Sequence, residues 1–158
     1  MSEISSVTTS AAILGAVLAR LRKEKNMTQE ELGKTVGVGA TTWSRIEQGT
    51  SQLSTEQLRA AAKTLGVSAT FVMRMAEEVE EELKTKGILV CDVPPKVWIG
   101  AGLDWTSDAW RPYLDRIAAI GKVASPILIP LAGAALGGLI AKYWPDKSSE
   151  NGDDTKGQ

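Results

Sequence analysis

Apolar residues recur at helical spacing through the first half of the chain, and the polar residues between them carry start and stop chemistry. Leu14, Val17, Leu18 and Leu21 fall at i, i+3, i+4 and i+7, which predicts a first helix through the apolar run of residues 11–19. Residues 28–49 then read as two short helices joined by a tight turn. Thr28 is placed to cap the first of them, with Glu31 reaching back to the Thr28 amide and Met27 and Leu32 as a hydrophobic staple. Gly37 ends that helix as a left-handed cap, and Gly39 offers a permissive cap for the next. From Ala40 onward, Trp43, Ile46 and Glu47 share one side, while Thr41, Ser44, Arg45 and Gln48 form a polar row at i, i+3, i+4 and i+7. Ser54 with Gln57, and Leu53 with Leu58, repeat the capping box and staple. Leu58, Ala61, Ala62 and Leu65 give a fourth helix an apolar face that stops at Gly66. Ser68, with Val67 and Val72 as a third staple, opens a fifth helix. Phe71, Met75, Val79 and Leu83 carry it on through the acidic run at residues 77–82, read as a solvated face.

The pattern changes after residue 86. Residues 87–96 hold Ile88-Leu89-Val90 and a Pro94-Pro95 pair and read as a linker. Trp98, Trp105, Trp110 and Tyr113 follow closely, with Trp110, Leu114 and Ile117 on one prospective helix face. A small packed subdomain and a segment lying at a membrane surface both fit this stretch. Residues 123–141 then carry no charge, between Lys122 and Lys142. As one helix this run is roughly 28 Å long, close to the ~30 Å hydrocarbon core of a bilayer. Pro130, Gly133, Gly137 and Gly138 interrupt it, which membrane helices tolerate better than soluble ones. A buried hairpin or the core of an oligomer is the alternative. Gly133, Gly137 and Ala141 make a small-residue seam of the kind that lets two membrane helices approach, although glycine and alanine are also simply common there. Both ends read as unstructured: residues 1–10 are rich in Ser and Thr, and residues 145–158 carry four acids and two lysines.

Composition removes whole classes of chemistry. There is no histidine, and Cys91 is the sole cysteine, which excludes internal disulfides, the usual zinc sets, Ser-His-Asp triads and Cys-His pairs. No glycine-rich phosphate loop follows a strand, so an enzyme reading has no constellation to stand on, and no cofactor or small-molecule substrate is implied. The net charge of −1 says little, but residues 10–75 hold nine Lys or Arg against five Asp or Glu. That local excess suits phosphate attraction. The run at 11–19 has its basic residues (Arg20, Arg22, Lys23, Lys25) after it rather than before, the wrong order for a secretory signal.

Thr28-Gln29-Glu30, Leu32, Gly37-Val38, Trp43-Ser44-Arg45-Ile46-Glu47 and Gly49 together resemble the helix-turn-helix of the Cro and phage-repressor family, often called λ-repressor-like or Xre-type, over roughly residues 11–76. The resemblance implies double-stranded DNA as partner, with Gln29 touching phosphate. Ala40, Thr41, Ser44 and Arg45 would face the major groove, and Thr42 the backbone. Arg45 is the principal candidate for reading sequence, because a guanidinium can bind guanine bidentately. The resemblance also pairs Glu47 with Arg22 as a structural ion pair, in preference to a DNA contact by Glu47.

The sequence therefore predicts an all-α protein: an unstructured 1–10, a five-helix head at 11–76, a helix extension and aromatic-rich linker at 77–122, a membrane-spanning helix at 123–144, and a polar tail at 145–158. The expected activity is DNA-binding transcriptional regulation by a homodimer, with the head in the bacterial cytoplasm and the anchor in the inner membrane. Arg111, Arg116 and Lys122 on the head side of the apolar run fit that orientation. The alternative is a soluble, cytoplasmic, phage-like repressor or antitoxin whose C-terminal half oligomerises or binds a partner.

Overall fold

The computed structural model describes residues 6–91, 98–99, 102–103, 129–130 and 133–144. Five helices make the head: α1 (Ser10–Glu24), α2 (Gln29–Val36), α3 (Ala40–Glu47), α4 (Thr55–Leu65) and α5 (Ala69–Thr85). Their boundaries sit where the capping chemistry put them. Thr28 and Ser54 each form a complete capping box, Ser68 accepts from the Phe71 amide, and Gly37 and Gly66 end their helices at φ of +82° and +73°. The acidic run lies on α5 as expected, with Val79 and Leu83 buried and Glu77, Glu78 and Glu81 exposed.

The protein is not all-α. Ser6–Thr9 forms strand β1, the middle member of a parallel sheet with β2 (Ile88–Cys91) on one side and β5 (Ile129–Pro130) on the other. Val7 stands opposite Leu89 and Pro130, and Thr9 opposite Cys91. Residues 6–9, expected to be frayed, are thus central: Val7, Thr8 and Thr9 are buried. Three successive β-branched residues fit a pleated strand better than a loose end. Thr9 also caps α1, accepting from the Ala12 amide at 3.0 Å. The segment expected to be a linker supplies β2. Pro130, with no amide proton to give, sits on an edge strand, where proline is tolerated. A short antiparallel pair, β3 (Trp98–Ile99) and β4 (Gly102–Leu103), lies between β2 and β5 in the chain.

The single helix expected through residues 123–144 is also corrected. Residues 129–130 are extended in β5, Gly133 has a positive φ of +55°, and the helix α6 begins only there, running Gly133–Tyr143. Its 11 residues reach roughly 16 Å, about half a hydrocarbon core. No helix among the described residues is long and apolar enough to cross a membrane. Leu136 and Ile140 are fully buried in the same core as the head, where α6 packs on α1 and α5. The expected helix face at Trp110, Leu114 and Ile117, and the tail 145–158, lie outside the described residues.

Packing centres on α1. Ala12, Ile13, Ala16, Val17, Leu18 and Leu21 are all buried, because α3, α5, α6 and the sheet's central strand surround the helix. Gly15 allows the closest of these approaches. A Cβ there would press on the Ile46 carbonyl oxygen and lie 2.6 Å from that of Glu47.

Candidate nucleic-acid interface

The α2–α3 unit is held rigid by its own sequence. The Thr28 hydroxyl accepts from the Glu31 amide at 3.1 Å, and the Glu31 carboxylate accepts from the Thr28 amide at 2.7 Å. Those bonds hold the Glu31 carboxyl below the usual glutamate range, the backbone bond from Thr28 contributing most. Gly33 is the point of close passage between the two helices: a Cβ would sit 2.9 Å from the Val38 carbonyl oxygen. The Val38 amide in turn donates to the Gly33 carbonyl at 2.9 Å.

On α3 the two sides separate cleanly. Trp43, Ile46 and Glu47 are buried, while Ala40, Thr41, Thr42, Arg45 and Gln48 are exposed and Ser44 is half-buried. Gln48 Nε2 donates to Ser44 Oγ at 3.3 Å, so these two polar groups are linked along the helix surface. The exposed row Thr41–Ser44–Arg45–Gln48 is the row that the sequence singled out.

Behind it lies a saturated carboxylate. Glu47 Oε1 accepts from Arg22 Nε at 2.6 Å and from Trp43 Nε1 at 2.7 Å. Glu47 Oε2 accepts from Arg22 Nη2 at 3.0 Å and from Gln29 Nε2 at 2.7 Å. Arg22 completes its own bonding by donating Nη1 to the Met27 carbonyl at 2.7 Å. Arg22 and Glu47 are 8% and 5% exposed, and a pair so far out of water persists only when its hydrogen bonds are filled. Glu47 is therefore turned inward, and the network ties α1, the start of α2 and the end of α3 together. The Trp43 bond is a contact that sequence reasoning missed, although the i, i+4 spacing of Trp43 and Glu47 was visible.

Gln29, to which the family resemblance gives a phosphate role, is half-buried with its amide nitrogen on Glu47. The small-residue row Gly133, Gly137 and Ala141, expected as a membrane dimer seam, instead lines a cleft of about 420 Å³ against α1 and the end of α3. A methyl group on Gly133 would touch the Gln48 side chain at 3.7 Å. Burial of the large apolar side of α6, through Leu136 and Ile140, is what turns this row towards the head.

Known proteins share the head. Residues 13–71 match the helix-turn-helix domain family. Over 67 residues the chain is 36% identical to the cryptic phage CTXphi transcriptional repressor RstR of Vibrio cholerae, a match covering 42% of this chain and 60% of that repressor. The crystal structure of the clp gene regulator ClgR from Corynebacterium glutamicum is 28% identical, covering 48% of this chain and 87% of that one at a TM-score of 0.42. Over residues 13–71 the chain is thus similar to helix-turn-helix proteins, a phage repressor among them, as the sequence resemblance implied. The phage relative is named as a transcriptional repressor.

Proposed function

We propose that the protein is a sequence-specific DNA-binding regulator of transcription, with repression, the activity named for the phage relative, as its mode. The observation that carries this reading is the division of α3. Arg45 and its polar neighbours face solvent in one row, while the opposite side is locked by Trp43, Ile46 and the Glu47 network. A short helix so presented fits a major groove, and Arg45 is placed to read guanine there. Thr41 and Ala40 would pack on a thymine methyl, Thr42 would meet the backbone, and Gln29 would hold phosphate at the start of α2. A head of this size covers one half-site, so a homodimer on paired half-sites is part of the proposal.

The regulator works without a membrane anchor in this reading. Leu136 and Ile140, which an anchor would turn to lipid, are supported as core residues by their complete burial. The test is selection of duplexes from a random pool by the purified full chain, followed by binding titrations at several salt concentrations. A recurrent motif bound with steep salt dependence is the expected result. Recovery of no motif and retention only in detergent would reverse both parts.

A further inference from the structure

The cleft between α1 and α6 opens beside the recognition row, and its walls differ in kind. One wall is basic, with Arg20, Arg22 and Lys23 from α1. The other is α6, which presents Gly137 and Gly138 with open space where side chains would stand. The floor is continuous with the proposed interface, because Gln29, Ser44 and Gln48 line it. Glu47 also lines it, but its carboxylate is consumed by four donors and by the Arg22 charge. Arg20 is partly offset by Glu24 at 3.3 Å and lies over the Trp144 ring at 5.8 Å. Lys23 is exposed and has no carboxylate partner among the described residues. The charged residues of the lining are three cations, Arg20, Arg22 and Lys23, against one carboxylate, Glu47.

We infer that this cleft seats one sugar-phosphate strand of the bound duplex, with Lys23 and Arg20 as phosphate contacts and α6 as a second wall that the helix-turn-helix segment itself does not contain. The inference rests on the DNA reading above. A helix lying in a major groove about 12 Å wide has a phosphate ridge along each flank. The flank of α3 on the Gln29 side opens into this cleft. A wall without side chains beyond a methyl lets a phosphate strand come against it, where leucines or phenylalanines would stand in the way. The contact is to backbone alone, so it raises affinity for every duplex and leaves base preference to Arg45.

Gly138 offers a test by sign. It is exposed, with nothing within 4 Å of an added Cβ, so either charge is accommodated in the fold. Gly138→Glu and Gly138→Lys are compared with the wild type and Lys23→Gln on the selected duplex and on unrelated DNA, with thermal unfolding as the control for folding. Gly138→Glu and Lys23→Gln should weaken both duplexes several-fold, and Lys23→Gln should lower the salt slope by about one. Gly138→Lys should tighten both and steepen the slope, with base preference unchanged in all three. Equal affinities for the two Gly138 variants, on a duplex that still requires Arg45, would overturn the cleft assignment and leave the DNA reading standing. Failure of the wild type to bind any duplex would overturn both.

Discussion

Gln29 Nε2 lies 2.7 Å from Glu47 Oε2, so the first residue of α2 is bonded to the last residue of α3. That bond closes the helix-turn-helix on itself from behind. It also means that the side chain at the proposed phosphate contact is oriented by a buried carboxylate and not left to find its own rotamer. The same carboxylate holds Trp43 and Arg22, so stability of the head and aim of the interface share one group.

Glu47→Ala should be the most damaging single change in the head. It leaves Arg22 buried and uncompensated and strips partners from Trp43 Nε1 and Gln29, at a cost of about 3–5 kcal/mol. Urea unfolding of the full chain measures it. A loss below about 1 kcal/mol would show that Glu47 is solvated.

Arg45→Ala should behave in the opposite way. The residue is exposed on α3, so stability should move by no more than about 0.5 kcal/mol. Discrimination between the preferred duplex and one altered at the guanine should fall by about 1–3 kcal/mol. Gln29→Ala, in contrast, should lower affinity with little change in preference, since a phosphate contact carries no base information. Binding titrations on matched and mismatched duplexes separate the two.

Gly15→Ala sets two effects against each other. Alanine is favoured over glycine in a helix by roughly 1 kcal/mol. Here its methyl would meet the carbonyl oxygens of Ile46 and Glu47, which belong to backbone and cannot turn aside. Overpacking of about 1–3 kcal/mol should win, and the variant should unfold at lower temperature. A raised melting temperature would show that α1 does not meet the Ile46 and Glu47 carbonyls at Gly15.

Leu136→Ala tests the placement of α6. As a core residue it should contribute about 2–5 kcal/mol, read by the urea midpoint of protein purified without detergent. An unchanged midpoint would return Leu136 to the surface or to lipid.

The Glu31 cap gives a pH dependence of defined sign. Its folded pKa is lowered, chiefly by the Thr28 amide bond, so its contribution is complete above the ordinary glutamate value. It is lost as pH falls through the lower folded value. The stability difference between wild type and Glu31→Gln should therefore be flat near neutrality and shrink in acid. A difference that grows as pH falls would contradict the cap.

By itself the sequence determined the head. Caps, staples and i, i+3, i+4 spacing are interactions between residues within one or two helical turns, so Thr28, Gly37, Ser54 and Ser68 announce their helices without any knowledge of what packs on them. The exposed row on α3 was legible for the same reason. The sheet was not, because a parallel ladder joins residues 6–9 to 88–91 and 129–130, far apart in the chain, and each strand has only two to four residues in which to show a period. Residues 123–141 have the length and polarity of a membrane helix. Only the pairing of Ile129–Pro130 with β1, and the burial of Leu136 and Ile140 beneath α1 and α5, decided that the apolar face of α6 belongs to the head. Hydrophobicity states that a surface will leave water. Which surface it meets is a property of the whole fold, since lipid, a second copy and the rest of the same chain satisfy the requirement equally well until the competing partners are in place.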